Sequence, residues 1–419
     1  MPKSNGKSAG RAERGCSLRS ERKEIYLDWA ASVQPNPSSI HAFGVRAKEA
    51  LEQARREVAE ALSARPGEII FTSGGTESNN LALQGAVWRA ILSGVKKPEV
   101  IITNIEHPSV LETAKMLRER RLAKVTVLSV ETDGRIDPKK VKEAIKKNTV
   151  LVSIMYANNE IGVIQPIKEI AKEIRHRRKI FQSPLPYFHT DAVQAANFLD
   201  LNTERLGVDM LSLSGSKIPG SGKVGVLYKK SNVPIAAVLA GGKQEFGLRP
   251  GTENLSGILR FANALRSARK DIEKKSKQTA KLRDYFLRGA EKVSKEILGK
   301  PAIINGSMEN RLPNNLNITF PGIPSDLLVL ELSERGIMVS EKSACESKEE
   351  RSSHVIEALR TAGTLKARGA GEESARVRRM ADAGAVRFSF GPDVTKAHAD
   401  FALHALGQIL RKLEKWYKI

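Results

Sequence analysis

A lysine, an acid and a run of small residues stand in this sequence where each could serve the same chemistry. Lys217 lies in "LSLSGSKIPGSGKVGVLY", which reads as a strand, a glycine-rich turn and a second strand. An amine at the end of a buried strand can be desolvated and act as nucleophile or base near neutral pH; a surface or phosphate-gripping lysine is the plainer alternative. Asp191, in "HTDAVQ", ends another strand-like run 26 residues earlier. A carboxylate there needs a cationic partner or hydrogen bonds. It either caps a helix or keeps a heterocyclic nitrogen protonated. "FTSGGTESNN" (71–80) sets small residues between a strand and a helix, so it is either a structural turn or an anion cup of backbone N–H groups, with Thr76 adding a hydroxyl. It matches neither the Walker pattern nor G-x-G-x-x-G, so no nucleotide is implied. A lysine bonded covalently to a cofactor, an acid for its ring nitrogen and a phosphate cup together form the set that pyridoxal 5'-phosphate (PLP) chemistry needs.

The rest of the composition narrows the setting. The chain has 419 residues, 41% hydrophobic and 28% charged, enough for two domains with cores. No run is apolar for long enough to span a bilayer, and the N-terminus lacks a secretory apolar region. The two cysteines, Cys16 and Cys345, exclude a disulfide framework and a thiolate metal site, and they fit a reducing cytoplasm. Cys345, in the small, polar "SEKSACESKEERSSH", reads as a loop thiol; Lys342 and Lys348 favour the thiolate, and Glu346, Glu349 and Glu350 oppose it. Cys16 reads as incidental. The net charge of +22 is spread along the chain without aromatic interleaving or zinc-finger spacing. It therefore points to acidic proteins or anionic metabolites, not to direct nucleic-acid or membrane binding.

The elements that must position these residues are legible as alternating strands and helices. "EIIFTS", "EVIITN", "KVTVLSV", "TVLVSIMYA", "PYFHTDA", "DMLSLSG" and "VGVLYKK" read as seven strands without strict alternation, hence buried on both faces. Helices such as 46–63 and 137–147 fall between them, the second opening on Asp137-Pro138. This predicts an α/β domain with a mainly parallel seven-stranded sheet and helices on both faces. From about residue 255 the pattern changes to one long charged helix, then α+β runs at "NNLNITFPG", "SDLLVLELSERGIMVS" and "AVRFSFGP", and a closing helix. The expected division is a basic, disordered tail (1–23), an N-terminal segment joining the small domain (24–39), a large cofactor-binding domain (40–262) and a small α+β C-terminal domain (263–419) with a mobile Cys345 loop. Residues 361–383, rich in Gly, Ala and Arg, read as a surface insertion.

"IYLDWAAS", "NPSSIHAFG", "FTSGGTESNNLAL", "EHPSV", "YANNEIGVIQP", "HTDAVQ", "SGSKI", "GGKQEFGLRPGTEN", "SACES" and "VRFSFG", in this order, resemble the motif series of the cysteine desulfurases of NifS/IscS type, fold-type I PLP enzymes of the class V aminotransferases. The resemblance covers about residues 24 to 410. It implies a homodimer that takes sulfur from L-cysteine, leaving L-alanine and a persulfide on Cys345, for an acceptor such as an iron–sulfur scaffold or for tRNA thiolation. By the same resemblance Lys217 is the Schiff-base lysine and proton carrier, and Asp191 pairs with the pyridine nitrogen. His107 stacks on the ring, Gln194 meets the phenolic oxygen, and Gly75, Thr76 and Ser214 hold the phosphate. Thr252 reaches the phosphate of a second subunit, and Asn159 and Arg387 receive the substrate carboxylate.

The chain departs from that pattern at three places. Ser216 stands where the family usually has a histidine beside the lysine, leaving a hydroxyl as the phosphate donor. The segment "LDWAASVQPNPSSIH" is shorter than usual. Cys345 and Arg387 are 42 residues apart, more than usual, because of the insertion. A related class V lyase or aminotransferase, such as one acting on selenocysteine, and a non-catalytic homologue are the alternative readings.

Overall fold

The computed structural model describes residues 25–33, 35–341, 353–366 and 384–417. The expected disordered tail, Cys16, the Cys345 loop and most of the expected insertion lie outside the described residues.

Seven strands form one sheet: β1 (Ile69–Thr72), β2 (Glu99–Thr103), β3 (Lys124–Leu128), β4 (Thr149–Ser153), β5 (Tyr187–Asp191), β6 (Met210–Ser214) and β7 (Gly225–Lys229), in the order β1-β7-β6-β5-β4-β2-β3. Only β7 runs antiparallel to its neighbours β6 and β1. The carboxyl ends of the other six strands therefore share one edge, which is where open α/β sheets bind ligands. Four of the strands are buried at every position, β5 at all but its first and β7 at all but its last, as two-sided burial predicts. β3 is the exception: this outer strand, paired only with β2, exposes Lys124 and Val127. Continuous β-branched sequence does not reveal which strand ends at the edge.

Helices cover both faces. They are α1 (Ala42–Leu62), α2 (Gly75–Leu92), α3 (Pro108–Glu119), α4 (Pro138–Ala144), α5 (Ile167–Phe181) and α6 (Thr203–Leu206), followed by α7 (Leu255–Arg269). The pleat sends Phe71, Ile101, Val152 and Phe188 to one face, where they pack with Leu51, Val58, Ile170 and Phe261 from α1, α5 and α7. Their neighbours Ile70, Val100, Ile102 and Leu151 point to the other face, against Leu83, Val87, Val110 and Leu117 of α2 and α3.

The long helix expected from 255 is two helices, α7 and α8 (Ile272–Leu298). Lys270 is extended (ψ 128°) and Asp271 is left-handed (φ 56°), so the hydrogen-bond ladder breaks between them. No glycine or proline announces this break. A three-stranded antiparallel sheet follows, β8 (Ile303–Ile304), β9 (Asn315–Thr319) and β10 (Val386–Ser389), in the order β10-β9-β8. It shares a second core, including Phe286, Leu316, Phe320, Phe388 and Ile409, with α8, α9 (Ser325–Glu334) and α11 (Lys396–Tyr417). Residues 361–366, expected to open the insertion, instead end helix α10 (His354–Lys366).

Candidate active site

The strand ends enclose a cavity of about 520 Å3. Gly75, Thr76, His107, Asn159, Asp191, Gln194, Ser214, Ser216, Lys217 and Arg387 all line it. Residues distant in sequence converge because β1, β2, β4, β5 and β6 all deliver their C-terminal turns to that edge, while β10 adds Arg387 from the smaller sheet. Thr252 is exposed and does not line this cavity. Cys345 lies outside the described residues.

The cup is the turn from β1 into α2. The first backbone N–H groups of a helix have no intrahelical acceptor and, with the helix dipole, favour an anion. Gly75 lets a wall approach: a Cβ there would stand 2.8 Å from Val193 Cγ2 and 3.3 Å from Ser214 Cβ. Ser214 and Ser216 share a hydroxyl–hydroxyl hydrogen bond of 2.9 Å, so Ser216 is tied to the same rim.

Asp191 is buried and held at both oxygens. Oδ1 accepts the Val193 N–H at 3.0 Å, and Oδ2 accepts Asn79 Nδ2 at 2.7 Å. Asn79 also donates to Ser109 Oγ at 2.9 Å, so its amide is oriented twice. His107 is the N-cap of α3, and its Nδ1 accepts the Ser109 N–H at 3.1 Å. A neutral His107 ring therefore carries its proton on Nε2. Behind Asp191, His189 bridges Ser153 Oγ (2.8 Å) and Ser212 Oγ (2.9 Å), linking β4, β5 and β6. Burial pushes its pKa down to about 3, so this bridge is a neutral imidazole.

Lys217 does not stay on the strand. β6 stops at Ser214, and a single 3-10 turn, Gly215–Lys217, carries the amine out to an exposed position. The desolvated strand-end lysine expected from the sequence is thus an exposed lysine at the cavity. Its carbonyl accepts Asn197 Nδ2 at 2.6 Å, which anchors the turn. Gly215 is required there: a Cβ would meet Ser221 Oγ at 2.2 Å and Gly222 O at 2.5 Å. On the opposite wall Arg387 Nη1 donates to the Asn159 carbonyl at 3.0 Å, joining the two sheets across the cavity. Burial lowers the pKa of this guanidinium, with Glu160 opposing.

Asn79, Asn197 and Asn314 line the same cavity, and sequence reasoning missed them. Asn79 was findable, since it follows Gly75 by one helical turn and so shares its face. Asn197 and Asn314 arrive by tertiary packing and carried no local signal.

Glu106, next to His107, is fully buried. Its carboxyl accepts Thr103 Oγ1 at 2.5 Å and the Met155 N–H at 3.0 Å. Burial raises its pKa from 4.5 to about 8, and the nearby Asp191 adds to the rise, against those two hydrogen bonds. A raised carboxyl stabilises the fold below its unfolded pKa and loses that contribution as pH climbs through the folded value. The slope from this group is about 1.4 kcal/mol per pH unit between the two values. Glu106→Gln is expected to remove this component, so the variant gains on the wild type in urea unfolding as pH rises toward 8. An unchanged difference between the two proteins across that range would refute the assignment.

The aminotransferase class-V family profile matches residues 9–401. A cysteine desulfurase IscS of Dictyoglomus turgidum is 37% identical over 409 residues, covering 94% of this chain and 96% of that protein. The chain belongs to the class-V aminotransferase family, among its cysteine desulfurases. A solved NifS-like protein superposes with a TM-score of 0.76 at 34% identity, over 90% of this chain and 91% of that one. A second, SspA in complex with cysteine, gives 0.66 at 32% identity, over 85% and 91%. The class-V fold found here, an α/β fold-type I architecture, is that of PLP-dependent enzymes.

The residues present fit that cofactor. Asn79 Oδ1 is buried and lacks a hydrogen-bond partner among the described residues, beside an acid suited to a ring nitrogen. The cup closed by Gly75 and Ser214 provides hydroxyl and N–H donors of the kind a phosphate needs. An exposed primary amine stands at the same cavity.

Proposed function

We propose that this chain is a PLP-dependent cysteine desulfurase that forms L-alanine and a Cys345 persulfide from L-cysteine. The carrying observation is the meeting of Lys217, Asp191, His107 and the Gly75–Thr76 cup around one cavity whose far wall is Arg387 and Asn159. When bound, PLP supplies the electron sink for charge developing at the substrate Cα.

Each residue then has one task. The α2 N-terminus, Thr76, Ser214 and Ser216 bind the phosphate. Asp191, fixed by Asn79 and Val193, keeps a proton on the ring nitrogen. His107 covers one ring face, and Gln194 bonds the phenolic oxygen. The Lys217 amine would hold the cofactor covalently and would carry the Cα proton. Arg387 and Asn159 orient the substrate carboxylate. The Cys345 thiolate forms an S–S bond with the substrate sulfur as the Cβ–S bond breaks; the bond pair stays with the carbon skeleton, which takes up a proton at Cβ and leaves as alanine.

A homodimer accords with the exposed apolar side chains Ile25, Leu27, Trp29, Val33, Ile40 and Phe246, and with the exposure of Thr252 away from its own chain's cavity. The sulfur acceptor in this reading is a protein such as an iron–sulfur scaffold, with tRNA thiolation a further destination of the sulfur. The site is cytoplasmic in this reading; no helix among the described residues is long and apolar enough to cross a membrane.

Cys345→Ser tests the reading. It should bind PLP and perturb its spectrum with cysteine as the wild type does, while alanine formation falls by about 10^3-fold or more. Alanine formation at the wild-type rate would instead favour a class V lyase in which Cys345 is incidental.

A further inference from the structure

One buried ion pair near the cavity is used by none of the steps above. Arg55 on α1 and Glu245 form a two-pronged pair, Nη1 to Oε2 at 2.8 Å and Nη2 to Oε1 at 2.7 Å. Their side chains are 3% and 1% exposed. Burial works against the Arg55 charge, but the bonds and charge of Glu245 outweigh it and raise the pKa. Such a pair is costly to bury and costly to break, because either partner alone is an uncompensated charge.

Its location gives it a task. β1 is, with β3, one of the two outer strands of the large sheet. Arg55 Nη1 donates to the Ile69 carbonyl at 2.8 Å, and Glu245 Oε2 accepts the Phe71 N–H at 2.7 Å. The pair thus occupies backbone groups of the open edge that would otherwise need another strand. β1 runs directly into the phosphate cup.

Glu245 also opens the loop that carries Thr252. Glu245 (φ 45°) and Phe246 (φ 60°) are consecutive non-glycine residues in the left-handed region, a conformation that persists only where the surroundings enforce it. The Arg55 guanidinium carbon lies 5.2 Å from the Phe246 ring centroid and 5.0 Å from that of Phe71. A second tie holds the loop's other arm: Arg249 Nε donates to Glu77 Oε1 at 3.0 Å, and Glu77 Oε2 accepts the Ser73 N–H of the cup at 2.7 Å. Within the loop, Gln244 Oε1 accepts the Gly251 N–H at 3.2 Å.

We propose that Arg55–Glu245 and Arg249–Glu77 are paired clamps that fix the 243–252 loop to the wall of its own subunit's cup, so that Thr252 is held out to complete the phosphate site of a second copy. Arg55, Glu245 and Arg249 are positioning residues in this account, and their loss weakens the cofactor of the other subunit more than that of their own. The inference rests on the PLP and homodimer reading above. It adds which contacts set the geometry of the shared site.

The test uses purified mixed dimers with different tags, one chain carrying Lys217→Ala and the other keeping Lys217. Borohydride then fixes PLP to the Lys217 chain alone, and intact mass gives its occupancy as PLP is titrated. With Glu245→Gln on the Lys217→Ala chain, half-saturation of the other chain should need at least about tenfold more PLP, since the amide gives up one Arg55 bond and leaves the buried guanidinium without its counter-charge. With Glu245→Gln on the Lys217-bearing chain, the shift should stay below about threefold by the same scale. Arg249→Gln, at a side chain 25% exposed, gives a milder variant for the same comparison if Glu245→Gln does not fold. Equal shifts in both arrangements, or a larger one when the lesion shares the chain with Lys217, would overturn the proposal. A wild-type protein that sediments as a monomer with PLP bound would overturn the dimer reading and the proposal together.

Discussion

Lys217→Ala is expected to lower alanine formation from cysteine by about 10^4-fold, because the variant loses both the covalent hold on the cofactor and the base that moves the Cα proton. The fold should be little affected. Lys217 is exposed, and its recorded anchor is its backbone carbonyl, held by Asn197, which the substitution keeps. Between the cofactor-free proteins, unfolding free energy should therefore change by no more than about 0.5 kcal/mol. PLP should become removable by dialysis, whereas borohydride treatment of the wild type should add cofactor mass to the peptide holding Lys217. Turnover within tenfold of the wild type would place the proton-moving amine elsewhere, with Lys223, in the same glycine-rich turn, the next lysine to substitute.

Asp191→Asn is expected to reduce turnover by about 10^3-fold, since a neutral amide no longer holds a proton on the ring nitrogen. The loss is compounded locally. Both Asp191 oxygens accept, one from Val193 N–H and one from Asn79 Nδ2. An asparagine must turn its NH2 group toward one of those donors, leaving a buried clash of donors at a cost of about 1–3 kcal/mol. Rotating the Asn79 amide would relieve it only by giving up the bond to Ser109. The variant should therefore show a lower thermal midpoint as well as a lower rate, in contrast to Lys217→Ala. Measuring both on the two variants separates loss of chemistry from loss of support.

The features that could be read from sequence were those written locally. β1, β2 and β4 announced their two-sided burial through Val- and Ile-rich runs, β5, β6 and β7 through short apolar runs without strict alternation, and the helix after "SGGT" followed from the small residues at its start. Lys217, Asp191 and the cup could be grouped because each sits at a strand end, and a mainly parallel sheet brings such ends together. What stayed hidden was set by partners far along the chain. β3 exposes Lys124 and Val127 while the other outer strand, β1, is buried throughout, and nothing in either run marks that difference. The break between α7 and α8 depends on the backbone at Lys270 and Asp271, two ordinary residues. The bond between Arg387 and Asn159 spans two sheets, and only the motif resemblance paired them beforehand. Asn197 and Asn314 enter the cavity with no sequence sign at all. Ser216 keeps a place on the rim through its bond to Ser214, so the usual histidine is replaced by a hydroxyl pair rather than by a gap.

The central claim is tested most directly by adding L-cysteine to the purified wild-type protein with PLP, while recording cofactor absorbance, alanine and sulfide released by a thiol reductant. The account predicts a visible cofactor band that shifts on cysteine addition, with alanine and sulfide formed in equal amounts. Folded protein that holds PLP yet yields no alanine, or yields alanine without matching sulfide, would contradict it.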